Sequence, residues 1–596
     1  MIGHKVCGLK FIIMAGLRLF SERAEYSKPA YSFPFRERRG FLFILPMFFC
    51  FIANAQNNTE DTSAKTKVII IKADRLNMQK PNDTTQLTSL GGNAEVQQDS
   101  TLFYADSIVM NKSKNILEAF GHVHINDRDS IHIYSDYLKY LSKEKKAHLQ
   151  GNVKLSDTKS ILYTPDLDYD VNTKIGIYLN GGKVVTPTSV LNSKEAFYYG
   201  ETRDIYFKKK VVMVDTDYTV TTDTLLYNTN TNIATFIVPT IITSGTKKVF
   251  TSNGYYDVHA KKAYFGKRPE IHDSTTILIA DEVASDSSGF GEARGNVVYR
   301  DTSQGITLFS NNLKTNRKEG SFLATIKPVM LLKQDLDSML ISADTLYSAR
   351  LTDLRRYRHI PRIIDSLPEK DSITLERDSS NRFFEAYYHV RIFSDSLQAK
   401  GDSLFYSGED SAFRLFTQPI LWANHSQVTG DTIYLYSKHR KPARMFVFEN
   451  AMALNAADST YFNQLKGRTI NGYFKGGEID LMHAKGNAES VYYAQDERNK
   501  FISVNKAKAD IIDMYFDNKK PNKVVFRSSV DGNAYPMRQI NHEDLKLRGF
   551  KWQENLRPKS KYEFLKDTAV NIKPMPLPIP PPKKETAIPQ VTVLRQ

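Results

Sequence analysis

Cysteine is nearly missing from this 596-residue chain; the two that occur are Cys7 and Cys50. Both precede residue 55, so a chain beginning at Gln56 holds no disulfide and no thiolate metal site. Apolar runs at helical spacing are missing after residue 55, which argues against a helical core. Catalytic motifs are missing too: there is no glycine-rich phosphate loop, no His-Glu-x-x-His and no Gly-x-Ser-x-Gly. His122, His124 and His132 lie close together, and strand alternation places His122 and His124 on one face. No carboxylate or further histidine keeps the spacing that would complete a metal site. Acids are not clustered on one strand face, as cleavage of a polysaccharide would require. These absences predict a protein that is not an enzyme, with no cofactor and no metal.

Basic residues exceed acidic ones, for a net charge of +15. No helix-turn-helix, zinc-finger or RNP-like pattern accompanies that excess, so nucleic acid is not its expected partner. Lysines guarding strand edges explain much of it, and attraction to an anionic partner is the functional alternative. Apolar residues make up 41% of the chain, while Tyr (32) and Phe (34) are plentiful. That composition favours strands around a thin core.

What the chain does contain is a repeated phrase. Ala105-Asp106-Ser107-Ile108, Ser135-Asp136-Tyr137-Leu138-Lys139-Tyr140, Thr222-Asp223-Thr224-Leu225-Leu226-Tyr227, Ala343-Asp344-Thr345-Leu346, Gly401-Asp402-Ser403-Leu404 and Gly430-Asp431-Thr432-Ile433 are the clearest copies. Copies recur every ~28 to 33 residues, the mark of stacked units. A second phrase keeps the same period: Gly121-His122-Val123, Gly151-Asn152-Val153, Gly295-Asn296-Val297, Gly486-Asn487-Ala488. Asn, Asp, Gly and Lys gather between the strands as turn residues. The expected fold is all-β: an elongated, stacked antiparallel β-jellyroll or solenoid. About a dozen units at ~4.8 Å per strand would span roughly 60–120 Å. The repeated Asp is read as bonding local backbone N–H groups at the strand start.

In order along the chain, residues 1–55 form a leader. Arg36, Arg38 and Arg39 precede an apolar stretch at 41–52 and small residues at Ala53-Asn54-Ala55, the build of a signal peptide cleaved near Ala55. A linker and first strand follow at 56–71, then repeats at 72–349. A charged insertion is expected at 350–386, a second set of repeats at 387–536, and a basic, Pro-rich tail at 537–596. Pro574 to Pro582 reads as an extended polyproline stretch.

The phased pair resembles the OstA-like (organic solvent tolerance) family, to which LptA-type periplasmic bridges of lipopolysaccharide transport belong. The likeness covers roughly Lys72 to Tyr535 and rests best on Ser135–Tyr140 with Gly151-Asn152-Val153 and on Ala105–Met110 with Gly121-His122-Val123. The chain is longer than a simple bridge, and no barrel-like run of strands follows Tyr535. The resemblance implies a β-taco whose inner faces hold lipid A acyl chains in a trough. It implies a non-catalytic bridge in outer-membrane assembly, located in the periplasm. Its implied partners are lipopolysaccharide or a related glycolipid, other β-jellyroll transport proteins paired edge to edge, and an outer-membrane translocon. Trough candidates share one slot of the repeat: Ile108, Leu138, Leu167, Leu225, Val283, Leu313, Leu346, Leu404 and Ile433, with Tyr140, Tyr169 and Tyr227 two residues on. These residues are equally compatible with a closed solenoid core, and a structural or adhesive scaffold is the alternative function.

Overall fold

The computed structural model describes residues 67–566, apart from 83–84, 334–337, 356–357, 359–381, 409, 439–440, 497, 499 and 518–519. The leader and the Pro-rich stretch lie outside the described residues, as does most of the charged insertion. Among the described residues, forty strands join one antiparallel network. The fold is all-β, as the alternating pattern predicts. It is also continuous across the insertion: the strand Thr345–Arg350 pairs with Arg382–Phe393, so Arg382 to Ala386 already belong to the array.

Each long strand is bent near its middle. In Thr101–Asn111 against Ile116–Asp127, pairing runs Thr101–Tyr104 with His124–Asp127, breaks, and resumes Ser107–Asn111 with Ile116–Phe120. The break recurs at Gly151, Gly295 and Gly486. Its cause is a pair of residues with left-handed φ, such as Gly121 (+72°) and His122 (+44°), or Gly151 (+76°) and Asn152 (+45°). Two such residues form a bulge that bends the strand, and Gly and Asn are the residues that tolerate them.

The two repeated phrases are the halves of one clasp over this bend. The Asn152 amide donates to Asp136 (2.8 Å), Asn296 to Asp281 (2.7 Å), Asn93 to Asp74 (3.2 Å) and Asn450 to Asp431 (3.2 Å). His122 and His389 take the same place against Asp106 (2.8 Å) and Asp344 (2.9 Å). The repeated Asp therefore reaches a side chain on the next strand's bulge, which corrects its reading as a backbone cap. His122 is likewise occupied at the bend and not aligned with His124, whose ring instead meets His132 at 3.1 Å.

Bending divides every strand between two ladders. Wall A contains 94–98, 101–104, 123–127 and their successors; wall B contains 87–91, 107–111, 116–120 and theirs. The walls face each other, as shown by Phe103 of wall A packing on Tyr140 of wall B at 4.7 Å between ring centroids. Between them lies the core.

Residues 537–566, expected as free tail, fold back along wall A. One cross-strand row there runs Leu331, Leu340, Phe393, Gln398, Trp422, Gln427, Leu454 and Gln464. The returning segment reads this row in reverse. Gln464 accepts from Leu547 N–H (2.8 Å). Gln427 donates to Lys551 C=O (2.7 Å) and accepts from Gln553 N–H (2.8 Å), and Gln398 accepts from the Arg557 guanidinium (2.8 Å). Phe564, in the short helix Lys561–Lys566, is fully buried against Val329, Leu340 and Phe393. We call this segment the strap.

Two outcomes check these contacts. A Cβ at Gly151 would lie 2.5 Å from Asp136 Oδ2, so Gly151→Ala is expected to lower stability by about 1–3 kcal/mol in urea denaturation. Gly91→Ala, which meets nothing within 4 Å, should be neutral. Gln427→Ala strands two strap backbone groups and should cost about 1–3 kcal/mol, read as faster proteolysis within 546–557.

Candidate functional site

The free ends of the two walls meet along a seam formed by turns. In the first half of the array the seam is stitched. Tyr140 donates to Gln98 (2.7 Å), and Gln98 donates on to Ser142 C=O (3.0 Å). Tyr169 donates to Asp127 (3.3 Å) and Tyr198 to Asp157 (2.8 Å). Ion pairs cross beside them: Asp99–Lys145 (2.5 Å), Asp157–Arg203 (2.9 Å), Asp217–Lys261 (3.1 Å) and Asp273–Arg317 (3.2 Å). In each pair an acid at a wall A turn meets a base at a wall B turn.

Burial, then nearby carboxylates, push the Tyr140, Tyr169 and Tyr198 hydroxyls far above their ordinary range, so they remain neutral donors. Burial alone would raise the Asp157 carboxyl. Hydrogen bonds from Ser160 and Tyr198, with the Arg203 charge, outweigh it, and the group ends below its ordinary 3.8.

Among the described residues no further acid–base pair crosses after Arg317, and the seam opens. A cavity of about 1540 Å³ lies between the walls from Gln304 to Pro521. Wall A lines it with Ile306, Met330, Ile341, Ile392, Leu421 and Val428; wall B lines it with Phe322, Phe413, Leu435, Met445, Met482 and Met514. Its rim is polar: Gln304, Ser394, Ser396, Asn424 and His425 on wall A turns, Ser348, Arg382, Ser411, Ser437 and Lys441 on the wall B side. In the first half the corresponding interior holds a gap of only about 10 Å³, beside Tyr178 and Tyr198.

All twelve trough candidates are buried: Ile108, Leu138, Leu167, Leu225, Leu346 and Ile433 at 0%, Tyr140, Tyr169, Leu313 and Leu404 at 1%, Tyr227 at 0% and Val283 at 4%. They sit deep between the walls, and none lines the large cavity. The position two residues past the Leu slot varies. In the closed half it is Tyr at 140, 169 and 227, and Met110, Ser285 and Thr315 in other copies. Past Leu346, Leu404, Ile433 and Ile512 it is Ser348, Tyr406, Leu435 and Met514, all of which line the cavity. Tyr406 does not cross the seam; its ring packs on Phe413 at 4.6 Å within wall B.

The cavity-lining set was missed because its strands break the alternation that marks a half-exposed sheet. Val329-Met330-Leu331-Leu332, Met339-Leu340-Ile341 and Ile420-Leu421-Trp422-Ala423 are apolar on both faces. Continuous apolar runs signal a sheet covered on both sides; here one face meets the strap and the other faces the cavity and the opposite wall.

The Asp157 carboxylate is fully buried and its Arg203 partner largely so, and breaking such a pair costs about 3–5 kcal/mol. Asp157→Asn should lower the urea midpoint at pH 7. A carboxyl depressed by folding stabilises above its unfolded pKa and loses that effect as pH falls through the folded one. The gap between wild type and variant should therefore shrink below pH 3.8, measured by circular dichroism across pH.

No curated protein matches the chain. A family model described as OstA-like protein matches residues 65–223 and 193–281. The match covers most of the stitched half and stops before the seam opens. Over residues 65–281 the chain is thus similar to OstA-like proteins.

Proposed function

We propose that the chain is a non-catalytic lipid carrier of the lipopolysaccharide-transport type, acting in the periplasm during outer-membrane assembly. The observation that carries this reading is the open part of the seam. An apolar interior of about 1540 Å³ sits under a polar rim, which suits acyl chains inside and a head group outside. Each CH₂ taken from water into such a lining contributes about 0.8 kcal/mol. The twelve Leu- and Tyr-slot residues serve as the packed base of the walls, and the lipid-contacting surface is the set around Met330, Leu421 and Met445.

The amino-terminal end of the array supports pairing with another jellyroll. Among the described residues, Ile69–Lys72 and Arg75–Asn82 each pair on one side only, with Thr85–Gln98. Ile69, Ile71, Leu76 and Met78 are all about half exposed. An unpaired apolar edge of this kind accepts an added strand. At the other end, Lys520–Arg527 and Asp531–Pro536 carry Pro521, Pro536, Lys523 and Arg527, residues that discourage strand addition. A transport partner, a translocon included, would dock at the apolar end.

The stitched half favours a second role for residues 67–317, that of a rigid arm with a sealed core. Both readings are separated by plugging the cavity. Ala399 and Ala453 face it from wall A, and the Ala399→Phe/Ala453→Phe double variant should fold yet lose about tenfold or more in affinity for fluorescent lipid A. Equal binding by the plugged chain, or no lipid bound by the native one, leaves only the scaffold.

A further inference from the structure

Where the stitching stops, Arg382 has only neutral hydrogen-bond partners among the described residues. Arg382 opens the strand Arg382–Phe393 at the wall B side of the seam and lines the upstream end of the cavity. Its Nη2 donates to Gly320 C=O (2.6 Å) and to Ser348 Oγ (3.3 Å), and its Nε to the same hydroxyl (3.4 Å). Both partners are neutral. The acid that stands in the stitching position across the seam is Asp301, the last residue of Phe290–Asp301, just as Asp273 is the last of Glu270–Asp273. Asp301 forms no ion pair with Arg382 among the described residues. Its Oδ1 accepts from the Ser303 and Gln304 N–H groups and the Ser303 hydroxyl. Burial lowers the Arg382 pKa and neighbouring Arg350 adds to that; the Tyr299 and Asp301 charges oppose it. A guanidinium stays charged at neutral pH even so.

A half-buried cation whose hydrogen-bond partners among the described residues are all neutral, set in the rim of an apolar cavity, is a place for an oxyanion. Such a charge-assisted pair is among the strong hydrogen bonds, and the planar guanidinium fits carboxylate and phosphate alike. We infer that the occupant of this cavity is an anionic amphiphile, its carboxylate or phosphate held by Arg382 at the upstream end of the open seam and its apolar tail laid along Met330, Ile341, Leu421 and Met445. This rests on the reading of the cavity as a lipid site and adds which end of the ligand goes where.

The test uses the full chain and three sixteen-carbon probes: hexadecanol, palmitate and hexadecyl phosphate, each displacing a fluorescent fatty alcohol. Native protein should prefer at least one anion to the alcohol by about tenfold or more. Preference for palmitate marks a carboxylate head, and preference for hexadecyl phosphate a phosphate head. Arg382→Gln should abolish the preference while hexadecanol still binds, which also shows that the variant is folded; Arg382→Lys should retain part of it. Equal binding of alcohol and anions by native protein, or an unchanged preference in Arg382→Gln, overturns the head-group assignment and leaves the lipid reading standing. Failure of all three probes to bind native protein overturns both.

Discussion

The whole architecture depends on the bend. A flat antiparallel sheet of this length would have one core face and no interior. Two consecutive left-handed residues in alternate long strands make the bend, and in most copies the Asp on the strand before holds the turned loop by its Asn or His side chain. Left-handed backbone is costly for residues with a Cβ, so each clasp offsets a local strain with a charge-assisted hydrogen bond. Because the bends stack in register, the strands divide at the same line and two walls result. The walls then have an inside and a seam.

Whether that inside is full or empty is decided at the seam. In the first half, tyrosines of wall B extend to the turns of wall A, and acid–base pairs cross between turns. Exposed pairs such as Asp217–Lys261 contribute little individually, but the buried Asp157–Arg203 pair and the neutral Tyr hydroxyls are placed where water cannot screen them. In the second half, Ser348, Leu435 and Met514 stand where those tyrosines stood. Shorter or unbonded side chains there cannot reach across, and the walls remain apart. One repeat thus yields a sealed segment, where Tyr140, Tyr169 and Tyr198 and the acid–base pairs cross between turns, and an open one, where Ser348, Leu435 and Met514 do not reach across.

Much of this was legible in the sequence. The period, the all-β class and the inward direction of Leu138 and Tyr140 follow from alternation alone. The Gly-Asn and Asp phrases could be located but not joined, because their partnership crosses between strands about sixteen residues apart, a spacing that only the bend explains. The cavity could not be located. The repeated phrases mark the packed base of the walls in both halves, Leu346, Leu404 and Ile433 included, whereas the cavity-lining residues sit in apolar runs that lack any repeat signature. The strap was hidden for another reason: Gln398, Gln427 and Gln464 look like ordinary surface glutamines until the returning chain buries them.

The strap sets an order of assembly. Units of the stitched half contact only near neighbours, so each can consolidate as soon as the following hairpin exists. The open half is different. Its wall A has an apolar back face that stays wet until residues 545–564 return from the carboxyl-terminal side to cover Leu340, Phe393 and Leu454. A chain emerging amino end first therefore completes its sealed arm early and its open cavity last, and a truncated product would keep the arm while lacking a finished cavity.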